Sequence, residues 1–235
     1  GPYYPGEADG FVFCDFNSVV NAYYYKSLLL MKEFAKILGK KDDEVGFDKK
    51  AKKVYQTYNK MFVDNSTGLI KDGDTTTHSS FHANFFALCF GLVKEENKER
   101  VKEFIKSKDM ACSVYASQFF MDALYNEGMG DYALQMLTKK DERGWYHMIE
   151  VGAGMTMEAW DLKFKPNLDW NHAWGAAPSN IIAFRLMGIQ PSAPGFAEAS
   201  IKPEIGTLTL AEIRVPTALG SIYEKITQDE KNYQV

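Results

Sequence analysis

Two short segments carry the residue types that could do chemistry: Met155-Thr156-Met157-Glu158-Ala159-Trp160-Asp161 and Asp169-Trp170-Asn171-His172-Ala173-Trp174-Gly175. Glu158 stands among Met155, Met157 and Trp160. An apolar setting of that kind raises a carboxyl pKa and suits a group that exchanges a proton near neutrality. Three of the four tryptophans lie in these segments, and the fourth, Trp145, comes just before them. Indole faces stack on the C–H faces of sugar rings. Acids, amides and imidazoles bind hydroxyls, so Asp161, Asn171 and His172 are candidate polar partners, and Trp145, Trp160, Trp170 and Trp174 candidate walls. The same composition also suits a structural plug sealing a helical domain, or a pocket for another ligand. The residues alone leave these readings open.

Other chemistry finds less support. His78 and His82 are four apart and would share one helix face, which is metal-ligand spacing. No glutamate follows His78 as it does in a metalloprotease helix, and His147 and His172 are remote in sequence. No metal or cofactor is therefore expected. Cys14, Cys89 and Cys112 form neither a zinc pattern nor a disulfide framework and read as buried free thiols. Gly152-Ala153-Gly154 is too short for a phosphate loop. The charged run from Lys94 to Lys108 reads as a solvated helix face.

The elements that must position these residues are mostly helical. The chain has 235 residues, 46% hydrophobic and 25% charged, with net charge −4. That excludes a disordered chain and gives nucleic-acid binding no electrostatic support. No uncharged apolar run reaches the ~18 residues of a membrane span. Residues 1–6 have neither a basic nor an apolar leader region, so no secretory leader is expected there. Asn17 stands at an N-cap position before an apolar run from Val19 to Leu38, which predicts a largely buried helix closed by Gly39. Acids 42–44 open a second, amphipathic helix with Phe47, Ala51, Val54, Tyr55, Tyr58, Met61 and Phe62 on one face. These two read as an antiparallel hairpin. A long polar loop covers 64–77. Further helices are expected at 80–92, 96–106, 115–126, 131–137 and 178–187, with glycine closing the third of these at 128 and the last at 188. Apolar and amphipathic helices alternate. The stretch 145–174 reads as a long structured loop. Short β-branched runs at 199–203, 207–210, 211–215 and 221–226 predict strands, too few to close a sandwich.

The order of Thr77-His-Ser-Ser-Phe-His-Ala-Asn84, Cys112-Ser-Val-Tyr115, Asp131-Tyr-Ala-Leu134, Trp145-Tyr-His-Met148, Thr156-Met-Glu-Ala-Trp-Asp161 and Asn171-His-Ala-Trp-Gly-Ala-Ala-Pro178, with the tail from Gly195, resembles the C-terminal half of the catalytic domain of glycoside hydrolase family 78, the α-L-rhamnosidases. The resemblance implies a mainly α chain: half of an (α/α)6 toroid over 1–190, then the incomplete start of a β-sandwich domain over 191–235. It implies inverting hydrolysis of terminal α-L-rhamnose from a rhamnoside. Glu158 falls on the family's general base, with Met157 and Ala159 replacing Trp and Arg of its Trp-Glu-Arg-Trp-Asp-like segment. His172 falls on the histidine lining the sugar pocket. The family's general acid belongs to an upstream motif absent from these 235 residues, so this chain is expected to be part of a longer protein and inactive alone. Half a toroid exposes apolar surface, to be covered by a homodimer partner or by an N-terminal half. Another (α/α)6 glycosidase, or a non-catalytic carbohydrate-binding or scaffold protein, remains the alternative. No nucleic-acid or membrane partner is expected.

Overall fold

A computed structural model describes residues 7–229 and 233–234. The chain is mainly helical and divides into two compact units, Gly1–Cys112 and Ser113–Val235.

The first unit holds two helical hairpins. Helix α1 (Ser18–Ile37) starts where Asn17 caps it, the side-chain oxygen accepting from Val20 N–H at 3.1 Å. It ends before Gly39, whose φ of +67° is the left-handed conformation that closes helices. Helix α2 (Lys41–Met61) begins with Asp42, Asp43 and Glu44, which suit the positive end of its dipole, and packs back on α1. Ala51, Tyr58 and Phe62 form its buried stripe. Asn17→Ala is expected to cost about 0.5–2 kcal/mol by removing the cap, read as a lower urea midpoint.

Helix α1 is less buried than its apolar content predicts. Val20, Tyr24, Met31, Phe34 and Leu38 fall at three-, four- and seven-residue steps and are all exposed. Periodicity reports that a face is apolar; it does not report whether the chain supplies the surface that covers it.

Helix α3 (Phe81–Cys89) is buried on nearly every side, in keeping with its lack of charge. Ser80 caps it through Ala83 N–H. Helix α4 (Glu95–Lys108) lies against it, with only Val101 and Ile105 fully inside. The polar loop before α3 is ordered by two side chains. Asn84 accepts from Ile70 N–H and donates to the Ile70 carbonyl. Buried Asp72 accepts from Val12 N–H and Ser80 N–H, and its Oδ2 lies 2.6 Å from His78 Nδ1.

His78 therefore precedes α3 rather than sharing a helix face with His82. His82 Nδ1 is buried without a hydrogen-bond partner. Burial pushes this imidazole down from 6.5 to about 4, against the pull of Asp9 and Asp72. A histidine that resists protonation only when folded makes stability fall as pH drops below its unfolded value, by up to about 1.4 kcal/mol per pH unit. His82→Phe is expected to flatten the urea-midpoint dependence between about pH 6.5 and 4.5. Equal slopes in variant and parent would exclude His82 as the source.

The second unit holds helix α5 (Val114–Asn126), capped by Ser113, and helix α6 (Gly130–Thr138). Gly128 at φ +66° turns the chain between them. The stretch expected to be a loop contains a short helix, α7 (Trp145–Glu150). At six residues it is too brief to show a helical period. Helix α8 (Ala177–Ile181) continues as a wider π-turn over Ile182–Leu186 and packs on α5. Arg185 Nε donates to Asp122 Oδ1 at 2.7 Å.

Gly188 follows at φ +67°, and a Cβ there would stand 1.9 Å from the Lys202 carbonyl oxygen, so no other residue fits without backbone movement. Strand β1 (Ile189–Pro191) pairs antiparallel with β2 (Ala199–Ile201). Strands β3 (Leu210–Thr217), β4 (Gly220–Gln228) and β5 (Tyr233–Gln234) form a second antiparallel sheet in chain order. Residues 207–209, expected to be extended, precede β3 as a turn. None of the three cysteines is in a disulfide; Cys112 is buried, and Cys14 and Cys89 are half-buried rather than fully inside.

Candidate active site

All eight candidate residues lie in the second unit, on α7, the 156–172 excursion and the 3-10 turn Ala173–Gly175. Two segments run side by side without forming regular strands. Glu158 N–H donates to the Asp169 carbonyl at 3.0 Å, and His172 N–H to the Thr156 carbonyl at 2.8 Å. Thr156 Oγ1 returns a bond to the His172 carbonyl at 3.1 Å. Gly175 seals the end of this pairing, since a Cβ there would lie 2.4 Å from the Met157 carbonyl oxygen. The two motifs singled out in the sequence are thus held together by backbone bonds.

The tryptophans divide into two pairs. Trp160 is fully buried and Trp145 nearly so, with ring centroids 5.1 Å apart in an edge-on arrangement. Trp145 Nε1 donates to the Gly175 carbonyl at 2.8 Å. This pair is core, where the sequence reading has open walls; apolar bulk drives indoles inward wherever the N–H finds a partner. Trp170 and Trp174 are exposed. Trp174 packs on Tyr115 at 5.2 Å and on His172 at 4.8 Å.

Glu158 does not sit in the apolar setting expected. Met157 is buried, but Met155 is largely exposed. The Glu158 carboxylate instead pairs with Lys165 and accepts from Asp169 N–H at 3.1 Å. The Lys165 ammonium first, then that N–H, hold its carboxyl below the usual glutamate range, and His172 adds to the effect. The group is therefore an anion at neutral pH, already able to accept a proton but less basic than an unpaired glutamate.

Asp161 has both oxygens occupied. Oδ1 accepts from Lys163 N–H at 2.9 Å, and Oδ2 lies 2.6 Å from His147 Nε2. The Lys163 N–H, then His147, keep this carboxyl low. His172 Nδ1 accepts from Trp174 N–H at 3.1 Å, which leaves the proton of a neutral ring on Nε2 as a donor. Asn171 is exposed. A half-buried imidazole, the exposed Trp170 and Trp174 rings and an anionic carboxylate on one short framework can bind a hydroxylated ring and take a proton from water. Among the described residues, no group of three His, Cys, Asp or Glu side chains could hold a metal ion.

Residues 2–184 match the family model for the bacterial alpha-L-rhamnosidase six-hairpin glycosidase domain. The chain belongs to this family. An alpha-L-rhamnosidase of Alteromonas sp. (strain LOR) is 25% identical, over 94% of this chain and 25% of that protein. One from Formosa agariphila is 27% identical, over 86% of this chain and 23% of its own length. The chain thus spans about a quarter of the curated relatives it matches. Two solved structures share the fold. The alpha-L-rhamnosidase from Dictyoglumus thermophilum aligns with a TM-score of 0.81 at 22% identity, covering 97% of this chain and 27% of that one. The Streptomyces avermitilis alpha-L-rhamnosidase complexed with L-rhamnose gives 0.77 at 19%, covering 99% and 23%.

Three side chains that contact the candidate residues were not among the candidates drawn from the sequence. Lys165 and His147 are the side-chain partners of Glu158 and Asp161, seven and fourteen residues away; His147 stands in the quoted Trp145-Tyr-His-Met148 motif, but nothing in the spacing assigns either partnership. Tyr115, in the second residue position of α5, lies far from the Trp174 it touches. Its signals are its place in the Cys112-Ser-Val-Tyr115 motif and an aromatic just after a capped helix start.

Proposed function

We propose that this chain forms part of the catalytic domain of an inverting α-L-rhamnosidase and that Glu158 is its general base. The helical residues 1–190 would be its portion of the toroid, and 191–235 the start of the following β-domain. The observation that carries the reading is the Glu158 carboxylate fixed beside His172 and the Trp174–Tyr115 faces, in a chain of a glycosidase family.

In an inverting reaction a carboxylic acid protonates the glycosidic oxygen while a carboxylate on the other face deprotonates the attacking water, the pair standing about 6.5–9.5 Å apart. Glu158 takes the second role, and the acid comes from residues outside these 235. Its pairing with Lys165 keeps Glu158 ionised. The lysine is more than a third exposed and has room to withdraw as water enters. His172 Nε2–H donates to a sugar hydroxyl, and Trp174, Tyr115 and Trp170 offer apolar faces. Asn171 is a further hydroxyl partner. Asp161 acts through His147 as a brace of the excursion, with Trp145 and Trp160 packed behind.

The test is turnover of an aryl α-L-rhamnoside by the whole protein carrying Glu158→Gln; unchanged turnover removes Glu158 from the mechanism. The ion pair with Lys165 also favours a second reading, a carbohydrate-binding member whose base is retired into a salt bridge. It predicts sugar binding by calorimetry with no hydrolysis in the parent protein.

A further inference from the structure

Helix α1 has two faces that call for a neighbour, and only one of them has it. Through Ala22, Leu28 and Ala35 it packs inward, with α2 and α3 as its neighbours. Lys32 adds an ion pair to Asp48 of α2 at 2.8 Å. The other face carries Val20, Tyr24, Ser27, Met31, Phe34 and Leu38, all exposed. Leu30 and Ile37, also exposed, widen this row on one side, and Lys26 and Glu33 bound it there.

The spacing of the row states what fits it. Its steps run four, three, four, three and four, which is the a and d pattern of a helix seam. A strand repeats every two residues and cannot follow such a row. A second helix can, with its side chains seated between those of α1 and its axis about 8–10 Å away. The row is about 27 Å long, five turns of helix, close to the length of α1 itself. Ser27 leaves a gap at its middle for a larger side chain of the visitor, and the unbranched Met31 adapts to what enters.

We propose that the occupant is another helix of the same protein, supplied by sequence outside these 235 residues. The matched family is a six-hairpin domain, which is twelve helices at two per hairpin. The described residues hold eight α-helices, and α7 and α8 have only six and five residues. The chain spans about a quarter of the curated relatives it matches, so those proteins have ample length for the helices that remain. The inference rests on the proposed place of this chain within a toroid and is independent of the role of Glu158.

The test uses the whole protein and maleimide labelling of an introduced thiol, read by peptide mass. Ser27→Cys, nearly isosteric and at the centre of the row, is expected to react on the order of a hundredfold more slowly than Glu33→Cys on the charged border, as a covered site reacts only through local opening. Met31→Cys is expected to repeat the result one turn on. Urea is expected to bring all three to one rate. The protection is expected to hold through a hundredfold dilution of the protein. Labelling of Ser27→Cys and Met31→Cys as fast as Glu33→Cys overturns the proposal. Protection that is lost on dilution also overturns it and gives the row to a second copy of the protein. Aryl-rhamnoside turnover by the same protein reports on the rhamnosidase reading separately, since labelling follows the covering of α1 and not catalysis.

Discussion

Glu158→Gln is expected to lower kcat on an aryl α-L-rhamnoside by about 10²–10⁴, the range that general-base assistance supplies. The amide keeps the size and can still accept from Asp169 N–H, so KM is expected to stay close to the parent value. Lys165→Met provides the complementary reading. Lys165 is the largest influence holding the Glu158 carboxyl low. A base works only when ionised, so a lowered pKa extends activity toward acid. Removing the ammonium returns the carboxyl toward the ordinary glutamate range, and the acid limb of the kcat/KM profile moves to higher pH. At neutral pH the freed carboxylate is the stronger base, so kcat holds or rises. A glutamate serving only to brace the loop gives neither result: Lys165→Met would then leave the acid limb in place, and Glu158→Gln would act through stability alone.

Trp160→Ala is expected to destabilise the second unit by about 3–5 kcal/mol, the usual cost of emptying a large aromatic site. Trp160 is fully buried, and its ring is the surface against which Trp145 packs edge-on. Circular dichroism through a urea series measures the shift without relying on indole emission. Trp174→Ala is expected to behave oppositely. Half of that ring is exposed, so its removal costs roughly 1 kcal/mol or less in stability, chiefly the Tyr115 and His172 ring contacts. Its effect belongs in KM for the rhamnoside. If Trp160→Ala unfolds at the parent urea concentration, or Trp174→Ala leaves KM untouched, the division of the indoles into core and ligand faces is overturned.

Most helices were legible because each carries its own evidence. Asn17 before an apolar run, acids at 42–44 and glycines at 39, 128 and 188 mark ends by local hydrogen bonding and backbone conformation, and the structure begins and ends the helices at those residues within a position or two. Helix α7 was illegible because six residues show less than two turns. The two motifs of the candidate site were legible through composition, but their chemistry was not. Local neighbours placed Glu158 among methionines, whereas a residue seven positions on sets its charge state. The same holds for the indoles. Four tryptophans announce a cluster, and only packing decides which of them faces inward. The apolar length of α1 is a third case: its stripe was readable, but its exposure depends on surfaces no local pattern encodes.

The pairing of 156–158 with 169–172 has a consequence for how this region tolerates change. Glu158 and His172 are pinned by main-chain bonds at the two feet of the excursion, at Asp169 and at Thr156. The tip between them turns Leu162, Lys163, Pro166 and Asn167 outward and buries Phe164 and Leu168. Added length between Pro166 and Asn167, both outward, is expected to leave the feet undisturbed, whereas replacing the span removes buried Phe164 and Leu168 and the Lys165 partner of Glu158. The arch thus accepts change at its outward corner, while its buried and paired residues keep the carboxylate in place.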